Sequence, residues 1–222
     1  TGISGTKITL SANATNGTNG VGFSNFVSYP TTGTVALGAG SHTFDIASVM
    51  ANGTNLAPLQ PTLNIASVMT GNASIIKTGA GLLQFSAANT FTGGVSLQNG
   101  SLLFSTGSVF NNGVTGGVSA GPIGTGTLTL SGSNNLTLLS SASLTIGNAV
   151  TFDSAFNGEF RFDSTASTGT NLTLSGLVTL PDSVNINVIN PGMTAALGQI
   201  TRVITPGAIT INKTGLGTLS IG

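Results

Sequence analysis

The sequence predicts an all-β chain wound as a parallel β-helix, and three observations predict it. Short alternating runs replace helical periodicity almost throughout, as in Thr127-Leu128-Thr129-Leu130, Leu136-Thr137-Leu138 and Val184-Asn185-Ile186-Asn187-Val188. Each run puts apolar side chains on one face and hydroxyls or amides on the other, the pattern of a half-buried strand. Leu128, Leu136, Leu144, Phe152 and Phe160 follow one another every eight residues. Three such strand-plus-turn units make about 24 residues, close to one coil of a solenoid. Finally, Phe44-Asp45-Ile46-Ala47-Ser48-Val49-Met50 is echoed 19 residues later by Leu63-Asn64-Ile65-Ala66-Ser67-Val68-Met69. Alternation alone also suits a β-sandwich fibre subunit, which stands as the alternative fold; fixed offsets favour the solenoid.

Taken in order, Lys7-Ile8-Thr9-Leu10 reads as the first strand. Residues 21–34, with Phe23, Phe26, Tyr29 and Pro30, break the rhythm and read as a cap, a protruding loop or a docking surface. If successive coils stack the two echo segments, Ile46 lies over Ile65, with Val49 or Val68 at the neighbouring inward position; Pro58 and Pro61 mark an excursion between them. One coil cannot bury its inward Leu, Ile, Val and Phe alone, but each added coil covers the one beneath. At roughly 20 to 24 residues per coil the chain makes about ten coils, on the order of 50 Å long at about 4.8 Å per coil, with Asn and Thr laddering on the outside. The expected organisation is one solenoid segment: irregular coils with inserts over 1–75, a main repeat over 76–210, and the start of a further repeat over 211–222.

Composition narrows the function. Five Lys or Arg and five Asp or Glu among 222 residues give a net charge of zero. So little charge keeps copies of the chain apart only weakly, which favours self-association. The basic residues Lys7, Lys77, Arg161, Arg202 and Lys213 are scattered, so no stripe exists to neutralise a phosphate backbone, and nucleic acid is not an expected partner. No apolar run approaches the roughly 18 to 20 residues of a spanning helix. The absence of cysteine removes disulfides and thiolate metal sites. The chain starts at Thr1 without a signal-peptide pattern and stops at Gly222 one strand into a repeat, and reads as a mature or excised piece.

Chemistry is sparse. Asp153, Glu159, Arg161 and Asp163 form the one local charged cluster, and Asn157-Gly158 reads as a tight turn whose hairpin brings Asp153 beside Glu159 and Arg161. Asp153, Glu159 and Asp163 are the only metal candidates, without calcium-loop spacing; the plainer reading is a solvated hairpin with an ion pair of little energetic weight. His42 has Ser41 beside it and Asp45 three positions on, but a strand sends His42 and Asp45 to opposite faces, so no catalytic triad is expected. Thr78-Gly79-Ala80-Gly81 lacks the following helix and the trailing lysine of a phosphate loop; its glycines serve turns. Sequons such as Asn13, Asn72 and Asn171 are no more than so Asn-, Ser- and Thr-rich a chain contains by chance. No catalytic residue and no cofactor is expected.

One stretch carries more. Ile76-Lys77-Thr78-Gly79-Ala80-Gly81-Leu82-Leu83-Gln84-Phe85-Ser86-Ala87-Ala88-Asn89-Thr90-Phe91-Thr92-Gly93-Gly94 resembles the signature of the autotransporter-associated β-strand repeat, a block of bacterial surface passengers that fold as parallel β-helices. Its opening returns as Ile211-Asn212-Lys213-Thr214-Gly215-Leu216-Gly217-Thr218-Leu219, 136 positions downstream (Lys77 to Lys213). The resemblance implies a bacterial, secreted, extracellular or cell-surface protein that is not an enzyme. The leading reading is a structural fibre subunit or repeat segment, a right-handed parallel β-helix whose copies or tandem repeats join end to end through strand edges. Lys7, Ile8, Thr9 and Leu10 at one end, and Ile211, Lys213, Leu219 and Ile221 at the other, are the expected assembly residues. The alternative is an adhesin passenger that grips a host receptor or glycan through Phe23, Phe26 and Tyr29. A β-helical polysaccharide lyase or hydrolase ranks third, since carboxylates are few.

Overall fold

The structure, a computed structural model, describes residues 7–10, 27–29, 34–48, 50–51, 54–55, 61–111, 117–166, 169–203 and 208–222. Its strands are distributed over the faces of a parallel β-helix. The first face is an eight-stranded sheet of Lys7–Leu10, Thr34–Ile46, Val68–Thr78, Val95–Leu97, Leu128–Leu130, Val150–Phe152, Val178–Leu180 and Ile200–Arg202. The second is another eight-stranded sheet: Val27–Tyr29, Leu63–Ile65, Leu82–Phe85, Gly100–Phe104, Leu136–Ser140, Glu159–Ser164, Val184–Val188 and Ile211–Thr214. A third face holds Leu144–Ile146, Asn171–Leu174, Thr194–Leu197 and Thr218–Ile221. All pairings within these three sheets are parallel, so each strand sits on the corresponding strand of a neighbouring coil.

The eight-residue spacing is the walk round these faces. Leu128, Leu136 and Leu144 lie on the first, second and third face in turn, and Phe160 returns over Leu136 on the second. Inward residues form a continuous core that runs from Leu37 and Phe44 to Ala195 and Leu197. Within it Phe152, Phe160 and Phe162 meet edge to face, with ring centroids 5.2 and 4.6 Å apart, and Phe156 closes on Phe152 at 5.5 Å. Such edge contacts add to the area the rings bury. Outward residues stack in register as well: Ser96, Thr129, Thr151, Thr179 and Thr201 form one column on the first face. Asn212 continues a second-face column by donating its Nδ2 to Asn185 Oδ1 at 3.1 Å. A smaller buried cluster, Leu82, Leu103 and Leu139, lies on the outer side of the second face, a feature that alternation does not anticipate.

Two expectations are corrected. Ile46 does not lie over Ile65: Ile46 ends a first-face strand, whereas Ile65 is on the second face between Tyr29 and Phe85. An antiparallel pair, Met50–Ala51 with Thr54–Asn55, interrupts the path between the echo segments, so the 19-residue offset is not one coil. Val68 is half-buried, and Met69 is the inward residue there. The hairpin expected at Asn157-Gly158 is a corner instead. Val150–Phe152 and Glu159–Ser164 belong to different faces, and Glu159 N donates to Asn135 Oδ1 in the preceding coil at 3.0 Å. A true hairpin does occur at Val109–Phe110 with Val118–Ala120; it ties Asn89 to the third face through the Asn89–Gly121 bridge and Ser108 N donating to Thr145 O at 2.8 Å.

Candidate functional site

Ala73, Ile75 and Lys77 share one parity of the strand Val68–Thr78, and all three side chains point into the core. Lys77 is completely buried, stacked between Phe44 and Leu97. A buried ammonium persists only if its protons are bonded, and here each finds a carbonyl. Lys77 Nζ donates to Thr78 O at 2.8 Å, to Gly79 O at 2.7 Å and to Asn99 O at 3.0 Å. The first two carbonyls belong to its own corner and the third to the corner of the next coil, so one side chain joins two coils. Burial pulls the amine down to about 7, opposed by the charge of Asp45. Thr78 Oγ1 donates outside to Asp45 Oδ1 at 3.1 Å, which ties the corner to the preceding coil.

The rest of the motif is also packing. Phe85 and Phe91 are fully buried. Asn89, equally buried, accepts from Met69 N at 2.8 Å and donates to Pro122 O at 2.7 Å. Asn148 plays the same part further on, donating to Gly124 O at 3.1 Å and Gly126 O at 2.6 Å. Sequence reasoning missed these buried polar residues; the shared parity of Ala73, Ile75 and Lys77 was the available signal for the lysine.

The second copy of the motif stands at a different corner. Lys77 precedes the turn from the first face to the second, Lys213 the turn from the second to the third. Lys213 pairs with the inward residue Ile186 and repeats the local bond, donating to Gly215 O at 2.7 Å. It is exposed, because Ile211–Thr214 is the last strand of its sheet. Of the other expected assembly residues, Ile211 and Leu219 are half-buried against the core and Ile221 is 52% exposed, on the last strands of the second and third faces. Lys7, Ile8, Thr9 and Leu10 form the first strand of the first face. Tyr29 lies on the first strand of the second face; Phe23 and Phe26 fall outside the described residues.

The charged cluster is spread along one strand and the corner before it. Glu159, Arg161 and Asp163 alternate outward along one strand, which sets Glu159 and Asp163 about 13 Å apart, too far to share an ion. Asp153 sits on the preceding corner with Oδ1 taken by Ala155 N at 2.8 Å. Among the described residues no group of three or more His, Cys, Asp or Glu is placed to hold a metal. Glu159 instead organises a polar ladder across three coils. It accepts from Arg161 Nε at 2.5 Å, Asn187 Nδ2 at 3.2 Å and Thr214 Oγ1 at 3.4 Å. Burial works against its charge, but the bonds from Arg161 and Asn187 and the Arg161 charge prevail and hold its carboxyl below the usual range. Burial raises Asp163, with the Ser164 amide opposing. His42 points inward, with Nε2 2.6 Å from Leu37 O, while Asp45 is outward, so the two do not form a catalytic pair.

The family model described as the passenger-associated-transport-repeat matches residues 75–104 and 123–137. The first stretch holds the Lys77 corner and the three strands that follow it, Leu82–Phe85, Val95–Leu97 and Gly100–Phe104; the second holds Leu128–Leu130 and the start of Leu136–Ser140. These stretches are passenger-type repeat sequence, as the motif resemblance implies, and that repeat family is not an enzyme family. No curated protein and no solved structure matches the chain. Among the described residues no helix is long and apolar enough to cross a membrane.

Proposed function

We propose that this chain, with its passenger-type repeats, is a structural segment of a bacterial extracellular or cell-surface fibre, extended by stacking one solenoid end on another. The observation that carries the reading is the parallel register of the three sheets, in which strands sit on the corresponding strands of neighbouring coils around one continuous core. Each coil covers the strand edges and inward apolar side chains of the one beside it, so the same contact extends the solenoid through tandem repeats or further copies.

The motif residues support a scaffold role as well, since Lys77, Asn89, Phe85 and Phe91 are consumed by packing and corner bonding. Deleting Ile211–Gly222 removes the last strands of two faces and is expected to abolish concentration-dependent growth in sedimentation velocity. Growth undiminished by that deletion would refute the end-on reading.

A further inference from the structure

Two Asn-Gly pairs, Asn99-Gly100 and Asn157-Gly158, lie among the described residues. The pairing has a chemistry of its own. A glycine leaves its backbone nitrogen less hindered than any other residue does, and that nitrogen attacks the side-chain amide carbon of the asparagine before it. Asparagine is thermolabile for this reason. Ring closure turns the peptide about the asparagine Cα–C bond and swings its carbonyl, so a bonded carbonyl resists.

The two pairs stand at corresponding corners, each between the first face and the second, but they are held differently. Asn99 is half-buried, and its carbonyl accepts from the buried ammonium of Lys77 at 3.0 Å. Asn157 is exposed on the corner that joins Val150–Phe152 to Glu159–Ser164. Its neighbours are the anchors. Phe156 N donates to Asp153 O at 2.9 Å and its ring meets Phe152 at 5.5 Å, while Glu159 N donates to Asn135 Oδ1 at 3.0 Å. Between them Asn157 N makes a long bond to Gly132 O, 3.3 Å. Among the described residues nothing donates to Asn157 O and nothing accepts from Gly158 N.

We propose that Asn157 is a self-modifying site, converting through a cyclic imide to aspartate and isoaspartate in the folded chain, while the Lys77 bond preserves Asn99. Gly158 N gives its proton to solvent base and bonds to Asn157 Cγ; the Cγ–Nδ2 bond breaks and Nδ2 leaves as ammonia. Water then opens the imide. Attack at Cγ returns an aspartate, and attack at the main-chain carbonyl carbon leaves the chain running through Cγ, an isoaspartate. Either product adds a carboxylate to a chain of zero net charge, between Asp153 and Glu159. Isoaspartate also lengthens the main chain by one carbon, at a corner with little slack: an added Cβ on Gly158 would fall 2.1 Å from Asn134 O.

The test incubates the full chain in mildly alkaline buffer, folded and, in parallel, unfolded in guanidinium. Peptide mass mapping and isoaspartyl methyltransferase labelling then follow each Asn-Gly pair. In the folded chain Asn157 is expected to convert at least about tenfold faster than Asn99, the factor set by giving up a bond to an ammonium. In guanidinium the two rates are expected to converge. Lys77→Met, its fold checked by circular dichroism, is expected to speed Asn99 and leave Asn157 unchanged. Equal rates at the two sites in the folded chain, or conversion of Asn157 only after unfolding, overturn the proposal. A folded Lys77→Met chain in which Asn99 stays as slow overturns the role given to the lysine.

Discussion

Replacing Gly79 and Gly38 separately by alanine gives a direct reading of coil stacking. Both glycines have φ of 71°, where a side chain costs about 1–2 kcal/mol against the following carbonyl. Their surroundings differ. A Cβ on Gly38 meets nothing within 4 Å, whereas on Gly79 it falls 2.3 Å from Ile46 O and 2.8 Å from Ile46 N in the preceding coil. Ile46 O is the acceptor for Gly81 N at 2.8 Å, and Gly79 O is an acceptor for Lys77. Moving the Ile46 carbonyl aside therefore strands a buried amide, at about 1–3 kcal/mol. The expected losses are about 1–2 kcal/mol for Gly38→Ala and about 2–5 kcal/mol for Gly79→Ala. At about 2–4 °C per kcal/mol for a chain of this size, the extra ~1–3 kcal/mol makes Gly79→Ala melt roughly 2–12 °C below Gly38→Ala in far-UV circular dichroism. Equal losses at the two sites would mean that Ile46 does not underlie the Lys77 corner, and the stacking argument would fail there.

Three further outcomes follow from the same contacts. Lys77→Met leaves three carbonyls without their donor, offset by relief of a buried charge, and should cost about 1–3 kcal/mol in urea unfolding, against under ~0.5 kcal/mol for the exposed Lys213→Met; equal costs would contradict the inter-coil bond. Asn89→Ala removes the partners of Met69 N and Pro122 O and should cost about 2–4 kcal/mol, with a loss below ~1 kcal/mol arguing against the bridge. The lowered pKa of Glu159 means that the folded chain holds its proton less tightly than the unfolded one. Its contribution is present above the ordinary glutamate pKa and fades as pH falls through the lower folded value, so Glu159→Gln should flatten the acid side of a stability–pH curve; an unchanged slope would show that the Arg161–Asn187–Thr214 ladder does not hold that charge.

The solenoid was legible because burial has a period of two and corners recur at similar spacing. Leu128, Leu136 and Leu144 announce three faces, and Phe160 over Leu136 closes the coil. What failed was phase. The echo between Phe44–Met50 and Leu63–Met69 reflects similar strand-and-corner units, but similarity of units does not say which face each occupies once an antiparallel insertion intervenes. Asn157-Gly158 misled for a related reason, since the turn that closes a hairpin also serves a corner between faces. The buried ammonium was hidden by the expectation that charge faces water, although Lys77 keeps step with Ala73 and Ile75. The buried amides of Asn89 and Asn148 depend on contacts with distant parts of the chain, which no local pattern specifies.

Cryo-electron microscopy of the purified full chain at physiological salt tests the central claim most directly. End-on stacking of this solenoid predicts unbranched filaments one molecule wide, with a strong axial repeat near 4.8 Å that continues across the junctions between copies. Discrete single particles at concentrations well above those needed for other assemblies, or filaments whose strands run along rather than across the axis, would contradict it.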